Sequence, residues 1–137
     1  MIRTHGLTHL ALGVRDVERA FRFYHDLFGM EAVYREAGLI QAQTPGAWDV
    51  VVFQEDAARA EGSGGIAHFG FRLAELDGLE RAAERIVSAG GSVLSTGEFC
   101  PGEPYVFLRD PDGYEVEVWY ERPTPLDPAS PEPHGRS

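Results

Sequence analysis

Three side chains have the types and the placement that a divalent metal ion requires. His9 and His68 are 59 residues apart, and each stands in a segment of alternating apolar and polar residues. Glu117 stands in a third such segment and shares its face with Glu115 and Trp119. Two imidazoles and one carboxylate on one side of a metal leave other coordination positions open for water, a substrate or oxygen. If the three strands converge, the sequence predicts an open metal site.

An internal repeat places the two histidines at equivalent positions. Residues 7–14 read LTHLALGV and residues 65–73 read GIAHFGFRL, and both segments alternate as half-buried strands do. Asp16 and Asp77, 61 residues apart, each open a helical pattern that ends in glycine. Each half of the chain therefore predicts one strand, one helix and then about three strands.

Spacing alone leaves two interpretations of the histidines open. A histidine on a strand more often has a hydrogen-bonded structural role than a metal-binding one. Separations of 59 residues between the histidines and 49 between His68 and Glu117 match no local metal motif. The symmetric placement of His9 and His68 favours a shared function, because packing does not require it.

The length of 137 residues suits one domain. We predict a single domain over residues 1–121, with a first module at about 5–55, a polar and Gly-rich linker at 55–64 and a second module at about 65–121. Five prolines follow Glu121. This composition predicts a disordered tail over residues 122–137.

The charge of the chain excludes several classes of partner. With 22 acidic and 12 basic side chains the net charge is −10, which disfavours both nucleic acid and an anionic membrane surface. The single cysteine, Cys100, forms no internal disulfide. We see neither a secretory signal pattern nor an apolar run of about 20 residues. A cytoplasmic protein that binds neither nucleic acid nor membrane is the expectation.

Three segments carry a resemblance to a known family: LTHLALGVRDVERAFRFYHDLFGM, GIAHFGFRL and FLRDPDGYEVEVW. They resemble the vicinal oxygen chelate (VOC) superfamily, which includes glyoxalase I, bleomycin-resistance proteins, fosfomycin-resistance enzymes and extradiol dioxygenases. The resemblance implies an α+β fold in which two βαβββ modules form an open, cup-shaped mixed sheet. It also implies one divalent ion per site (Fe²⁺, Mn²⁺, Ni²⁺ or Zn²⁺), with His9, His68 and Glu117 as its ligands.

Departures from each subfamily limit what the resemblance implies. Glyoxalase I usually supplies a fourth ligand from the last strand of its first module, where this sequence has Val52. Extradiol dioxygenases place a histidine and a tyrosine before the DP turn, and this chain has Phe107 near the tyrosine position. Tyr105, two residues away, is a substitute that would hydrogen-bond a developing enolate. Its alternative role is to pack the wall of the cup.

The resemblance implies a metal-dependent enzyme, dioxygenase-like or glyoxalase/lyase-like, that chelates two oxygens of a small substrate. Glu117 and Tyr105 are then the candidate catalytic residues, and Phe53, Phe107 and Trp119 the candidate substrate contacts. The alternative is a non-catalytic drug- or metabolite-binding protein of the bleomycin-resistance type, although such proteins commonly lack the metal ligands.

The resemblance also implies a homodimer. In some relatives residues of both subunits hold the metal, so that His9 of one chain would meet His68 and Glu117 of the other. The sequence does not decide between a site within one chain and a site shared by two.

Overall fold

The computed structural model describes residues 1–62 and 64–128, and Ser63 and the part of the predicted tail at 129–137 lie outside the described residues. The strands and α-helices are, in chain order, β1 (His9–Val14), α1 (Val17–Phe28), β2 (Glu31–Glu36), β3 (Leu39–Gln43), β4 (Val50–Glu55), β5 (Phe69–Arg72), α2 (Ala82–Ala89), β6 (Ser92–Glu98), β7 (Pro104–Arg109) and β8 (Glu115–Trp119). Among the helices of these two ranges, none has the length and apolar composition needed to cross a membrane.

The two modules form separate four-stranded sheets with the same topology. The strand orders are β1-β4-β3-β2 and β5-β8-β7-β6. In each sheet the first strand of the module lies at an edge and pairs in parallel with the last strand, whereas the other pairs are antiparallel. The α+β class and the duplicated βαβββ order are therefore confirmed.

Helix α1 begins and ends at the residues that the sequence predicts. The Asp16 side chain accepts hydrogen bonds from the backbone N–H groups of Glu18 and Arg19 at 3.0 and 3.1 Å. Gly29 closes the helix in the left-handed conformation, with φ of 72°. Both ends thus satisfy backbone groups that a bare helix would leave unpaired.

Helix α2 is shorter than the sequence predicts and begins at Ala82 instead of following Asp77 directly. The intervening residues form turns whose N–H groups bond to the carbonyl three residues back, as from Gly78 to Glu75. A side chain at Gly78 would lie 2.8 Å from the Leu73 side chain. Arg81, the residue directly before the helix, has a φ of 58° in the left-handed region, so the helical conformation is interrupted there and α2 begins at Ala82.

Helix α1 lies between the apolar faces of the two sheets. The Tyr24 ring is 5.2 Å from Phe53 in the first sheet and 6.2 Å from Phe71 in the second, measured between ring centroids. Phe28 stacks on Phe71 at 4.1 Å. Both modules contribute to one buried core. Because side chains alternate along a strand, the opposite face of each sheet points away from this core.

A buried carboxylate joins the two modules. Asp110 is 4% exposed and accepts a hydrogen bond of 2.8 Å from the Tyr24 hydroxyl on α1. It also accepts bonds of 2.9 Å from the backbone N–H groups of Asp112 and Tyr114, within the turn that leads into β8. Burial raises the pKa of the Asp110 carboxyl above its usual range, although the bond from Tyr24 acts in the opposite direction.

A second carboxylate in the same turn binds the start of α1. Asp112 Oδ1 accepts hydrogen bonds of 3.0 Å from the Arg15 backbone N–H and from the Arg19 guanidinium. The Tyr114 hydroxyl donates to the carbonyl of Gly13 at 2.8 Å. The residues between β7 and β8 are thereby fixed to the end of β1 and the start of α1.

The hydrogen bond between Tyr24 and Asp110 predicts a measurable loss of stability in Tyr24→Phe. The variant leaves the buried carboxylate one donor short, which lowers the free energy of unfolding by about 2 kcal/mol. Urea unfolding at pH 7 measures this difference.

Tyr24→Phe also changes how the free energy of unfolding depends on pH in alkaline solution. Burial, and next the charge of Asp110, raise the pKa of Tyr24 well above 10. Above about pH 10 the unfolded chain loses this proton while the folded chain keeps it, so wild-type stability falls as pH rises. Tyr24→Phe lacks this contribution, whereas a Tyr120→Phe control keeps it. An identical alkaline decline in both variants would contradict the assignment.

Candidate metal centre

The open face of the second sheet, directed away from the core, carries Glu117, the one acidic side chain among the three predicted ligands. In β8, Val116 and Val118 are buried in the core, so Glu117 points to the opposite face. Strand pairing places Gly70 of β5 beside Glu117 on one side and Phe107 of β7 on the other.

His68, which directly precedes β5, meets Glu117 on this face. The Nε2 atom of His68 lies 3.4 Å from Oε1 of Glu117. The Glu117 side chain is 11% exposed and the His68 side chain 38% exposed, so a solvent-accessible imidazole covers a nearly buried carboxylate. The His68 ring meets Phe107 edge to face at a centroid distance of 5.0 Å, which restricts its orientation.

A glycine leaves space beside this pair. A Cβ atom at Gly70 would lie 3.6 Å from Cβ and 3.7 Å from Oε1 of Glu117, and 3.2 Å from its carbonyl oxygen. Any larger side chain at this position would therefore fill the volume next to the carboxylate. The absence of a side chain keeps one flank of the Glu117 carboxylate open.

The spacing of the two side chains fits a shared cation. Imidazole nitrogen and carboxylate oxygen are ligands that iron, manganese, nickel and zinc all accept. Two ligand atoms that each lie about 2.1 Å from one ion at a tetrahedral angle are about 3.4 Å apart. The measured separation of Nε2 and Oε1 is 3.4 Å. The pair and the space beside it therefore suit a divalent metal.

The third predicted ligand, His9, lies on the other sheet. It is exposed at the start of β1, on the face opposite the core, and its Nδ1 is 3.3 Å from the Thr8 hydroxyl. Within residues 1–62 and 64–128, no three His, Cys, Asp or Glu side chains are close enough to hold one ion. The structure thus brings together two of the three predicted ligands.

Aromatic side chains extend the open face beyond Glu117. Phe99 stacks on Tyr105 at a centroid distance of 4.3 Å and meets Trp119 edge to face at 5.6 Å. Tyr105 meets Phe107 at 5.5 Å. We call Phe99, Tyr105, Phe107 and Trp119 the aromatic platform. Phe99 is 53% exposed, so part of this apolar surface is open to solvent.

Comparison with known proteins identifies the family. The family model for the Glyoxalase/Bleomycin resistance protein/Dioxygenase superfamily matches residues 6–118. The chain belongs to this superfamily. An uncharacterised protein of Pseudomonas aeruginosa is 33% identical over 132 residues, which cover 90% of this chain and 93% of that protein.

Two curated relatives with named activities are more distant. A manganese-dependent 2,3-dihydroxybiphenyl 1,2-dioxygenase of a Geobacillus species is 26% identical, and the match covers 88% of this chain but 38% of that enzyme. The glutathione transferase FosA of Serratia marcescens is 29% identical, and the match covers 82% of this chain and 78% of that enzyme. The superfamily resemblance predicted from the sequence is confirmed.

Solved structures share the fold of this superfamily. The fosfomycin resistance protein FosX of Mesorhizobium loti has a TM-score of 0.69 and 22% identity, covering 88% of this chain and 95% of that chain. A glyoxalase-related enzyme of Fulvimarina pelagi has a TM-score of 0.67 and 23% identity, covering 86% of this chain and 89% of that chain. At these identities the likeness establishes the fold.

Two predicted site residues have positions that differ from the expectation. Phe53, predicted to contact a substrate, is fully buried and packs on Tyr24 in the core, on the face of its sheet opposite the open one. Tyr105 lies on the open face, but a Cβ at Gly97 would be 2.7 Å from its hydroxyl. The hydroxyl therefore lies over the outer strand β6, on the side away from Glu117.

The two other predicted substrate contacts lie on the open face of the second sheet. Phe107 pairs in register with Glu117, and Trp119 lies two residue pairs along. In the first sheet, Val52 pairs with Ala11 and Gln41, the position equivalent to that of Glu117 between Gly70 and Phe107 in the second sheet. A valine there supplies no ligand atom.

Two features of the site were missed by the sequence analysis. The period of the strand does place Gly70 on the face of His68, two residues before it, and this is a signal, but the gap that the glycine leaves beside Glu117 was not predicted. Phe99 carried no such signal, because it lies past the end of β6 and reaches the platform only through the tertiary structure.

The space beside Glu117 predicts the effect of Gly70→Val. The added side chain occupies the open flank of the carboxylate, so we expect the affinity for Mn²⁺ to fall at least about tenfold. Because the added Cβ would lie 3.2 Å from the Glu117 carbonyl oxygen, we expect the unfolding free energy of the metal-free protein to fall by about 1–3 kcal/mol. Titration calorimetry with Mn²⁺ measures the affinity. Ser92→Val, at an exposed position of the same sheet, is the control, and an unchanged Mn²⁺ affinity in Gly70→Val would refute the assignment.

Proposed function

We propose that this chain is a metal-dependent VOC enzyme that binds two neighbouring oxygens of a small substrate. The observation that carries the proposal is the pairing of His68 with Glu117 at 3.4 Å on an open sheet face beside the gap at Gly70. Membership in a superfamily whose relatives include a manganese-dependent dioxygenase and FosA supports it.

In this proposal His68 and Glu117 hold one divalent ion, either iron(II), manganese(II), nickel(II) or zinc(II). When bound, the ion supplies a Lewis acid for two substrate oxygens and open positions for them. Phe107 holds the His68 ring at a fixed angle. Oε1 of Glu117 faces His68, which leaves Oε2 as the atom that takes up a proton from the substrate.

Tyr105 stays a predicted catalytic residue, and its hydroxyl must turn from Gly97 towards β8 to reach the substrate.

A second copy of the chain supplies the third ligand in this proposal. The residues that fill the core lie on the inner faces of both sheets, so His9 and the His68–Glu117 pair lie on outer faces. A symmetric homodimer that joins the first sheet of one chain to the second sheet of the other creates two equivalent sites. Each site then contains His9 from one chain, and His68 and Glu117 from its partner.

The ligand count favours dioxygenase-like chemistry over the glyoxalase/lyase type. Val52 stands where glyoxalase I has its fourth ligand, and three protein ligands leave more positions for a substrate and oxygen.

Another observation favours the non-catalytic alternative. The aromatic platform is large and partly exposed, as a drug- or metabolite-binding surface of the bleomycin-resistance type would be. Metal content separates the two functions, because sequestration on an aromatic surface needs no metal.

Elemental analysis of the purified, untagged protein tests the enzyme proposal. We expect close to one divalent ion per chain, and its loss in each of His9→Ala, His68→Ala and Glu117→Ala, because three ligands hold each ion. The matched control is His25→Gln. His25 Nδ1 lies 2.8 Å from the carbonyl of Met30 at the end of α1, and the variant should keep its metal. Iron would direct the assays to oxygen-dependent cleavage, and nickel, zinc or manganese to isomerase or transferase reactions.

Absence of metal after reconstitution with iron(II), manganese(II), nickel(II) and zinc(II) in turn would reject the enzyme proposal in favour of the binding protein. Retention of metal in His9→Ala with loss in the other two variants would reject only the shared site.

Mixed dimers test whether two chains share each site. His9→Ala and His68→Ala are separately metal-free, but a dimer of one chain of each contains one intact site if the ligands come from both chains. Unfolding and refolding an equal mixture should therefore restore about a quarter of the wild-type metal, since half of the dimers are mixed. A site built within one chain restores none.

A further inference from the structure

Arg72 lies on the same open face as Glu117, at the edge of the second sheet. It stands two residues after Gly70 in β5 and pairs in register with Trp119. Arg72 therefore lies two residue pairs along the sheet from Gly70 and Glu117, next in register to Trp119 of the aromatic platform.

The guanidinium binds a carboxylate from the C-terminal segment. Its Nη2 donates to Asp127 Oδ2 at 3.0 Å and its Nη1 to Oδ1 at 3.5 Å, and Nη2 also donates to the carbonyl of Glu121 at 3.3 Å. Two nitrogens facing two oxygens is the arrangement by which arginine recognises a planar carboxylate. The Arg72 bond lowers the pKa of Asp127 to about 2, so this carboxylate is ionised at neutral pH.

Asp127 comes from a short turn, not from the core of the sheet. Its carboxylate accepts hydrogen bonds of 3.0 Å from the backbone N–H and from the hydroxyl of Thr124. The Arg72 side chain is 41% exposed and that of Asp127 27% exposed. Exposed ion pairs of this kind contribute little net free energy, so another carboxylate can replace Asp127.

We propose that Arg72 is a binding subsite for the carboxylate of an aromatic substrate, and that Asp127 occupies this subsite when no substrate is bound. This inference rests on the proposed function, because it assigns a substrate class to the same open face. Trp119, Phe99 and Tyr105 supply the apolar surface for the aromatic body. The two substrate oxygens that meet the metal would lie between this surface and His68.

Arg109 is the other arginine that the strand period places on this face, and its surroundings are different. It pairs in register with Glu115 of β8 and Ser92 of β6, neither of which is aromatic. Arg72 pairs instead with Trp119, an aromatic ring. The neighbour in the sheet therefore favours Arg72 for an aromatic acid and makes Arg109 the matched control.

Tryptophan fluorescence of the metal-free protein tests the subsite. The chain has two tryptophans, Trp48 and Trp119, so a Trp48→Phe background leaves Trp119 as the reporter. In EDTA-treated protein we expect benzoate to bind and to change Trp119 emission at concentrations where the uncharged benzamide does not.

Two variants in that background change the affinity in opposite directions. Arg72→Gln should weaken benzoate binding at least about tenfold, because it removes both donors. Asp127→Asn should strengthen it about threefold or more, because it removes the internal competitor. Arg109→Gln should leave the affinity for benzoate unchanged.

Weaker benzoate binding in Asp127→Asn, or equal losses in Arg72→Gln and Arg109→Gln, would overturn the proposal. A purely structural ion pair predicts the first of these results, and a general attraction between charges predicts the second. Because the benzoate titration uses metal-free protein, its result does not depend on whether the chain binds a metal. Rejection of the Arg72 subsite would in turn leave the measured metal content unchanged.

Discussion

The arrangement of the whole chain depends on one buried carboxylate, that of Asp110. A carboxylate in this position destabilises the fold unless donors surround it. Its three donors come from both modules: the Tyr24 hydroxyl on α1, and the N–H groups of Asp112 and Tyr114 in the turn before β8. Each donor fixes the position of the segment that carries it. The modules are thereby held in one relative orientation, and β8 begins at a defined point.

This constraint explains why a site forms on the far side of the second sheet. The turn fixes the start of β8, and the period of the strand then turns Glu117 away from the core that contains its neighbour Val116. Tyr24 and Phe28 join both inner faces to α1, so a ligand group can be built only on the outer faces. In the proposed homodimer each of these outer faces would form one half of a cup, which is the physical basis for expecting a second copy.

Local chemistry made much of this predictable from the sequence. Asp16 and Gly29 mark the ends of α1 because capping depends on neighbouring backbone groups, and the alternation around Glu117 gives its face directly. The predicted start of α2 was wrong because Arg81 adopts the left-handed conformation, with a φ of 58°, which interrupts the helix that the hydrophobic period predicts. The separation of His9 from the His68–Glu117 pair depends on how Tyr24 and Asp110 orient the modules, and no spacing in the sequence contains that information.

The charge of the chain bears on which ligands such a face can accept. A net charge of −10 repels a soluble anion at long range, but salt screens charges beyond about 8 Å at physiological ionic strength. Within that distance, the side chains next to the ligand determine whether it binds. Arg72 forms an ion pair of 3.0 Å with Asp127, so its positive charge is already neutralised by the chain itself. If the proposed substrate carboxylate took the place of Asp127, the charge balance at Arg72 would stay the same. The contacts of the aromatic body, and not net charge, would then govern the exchange between the two anions.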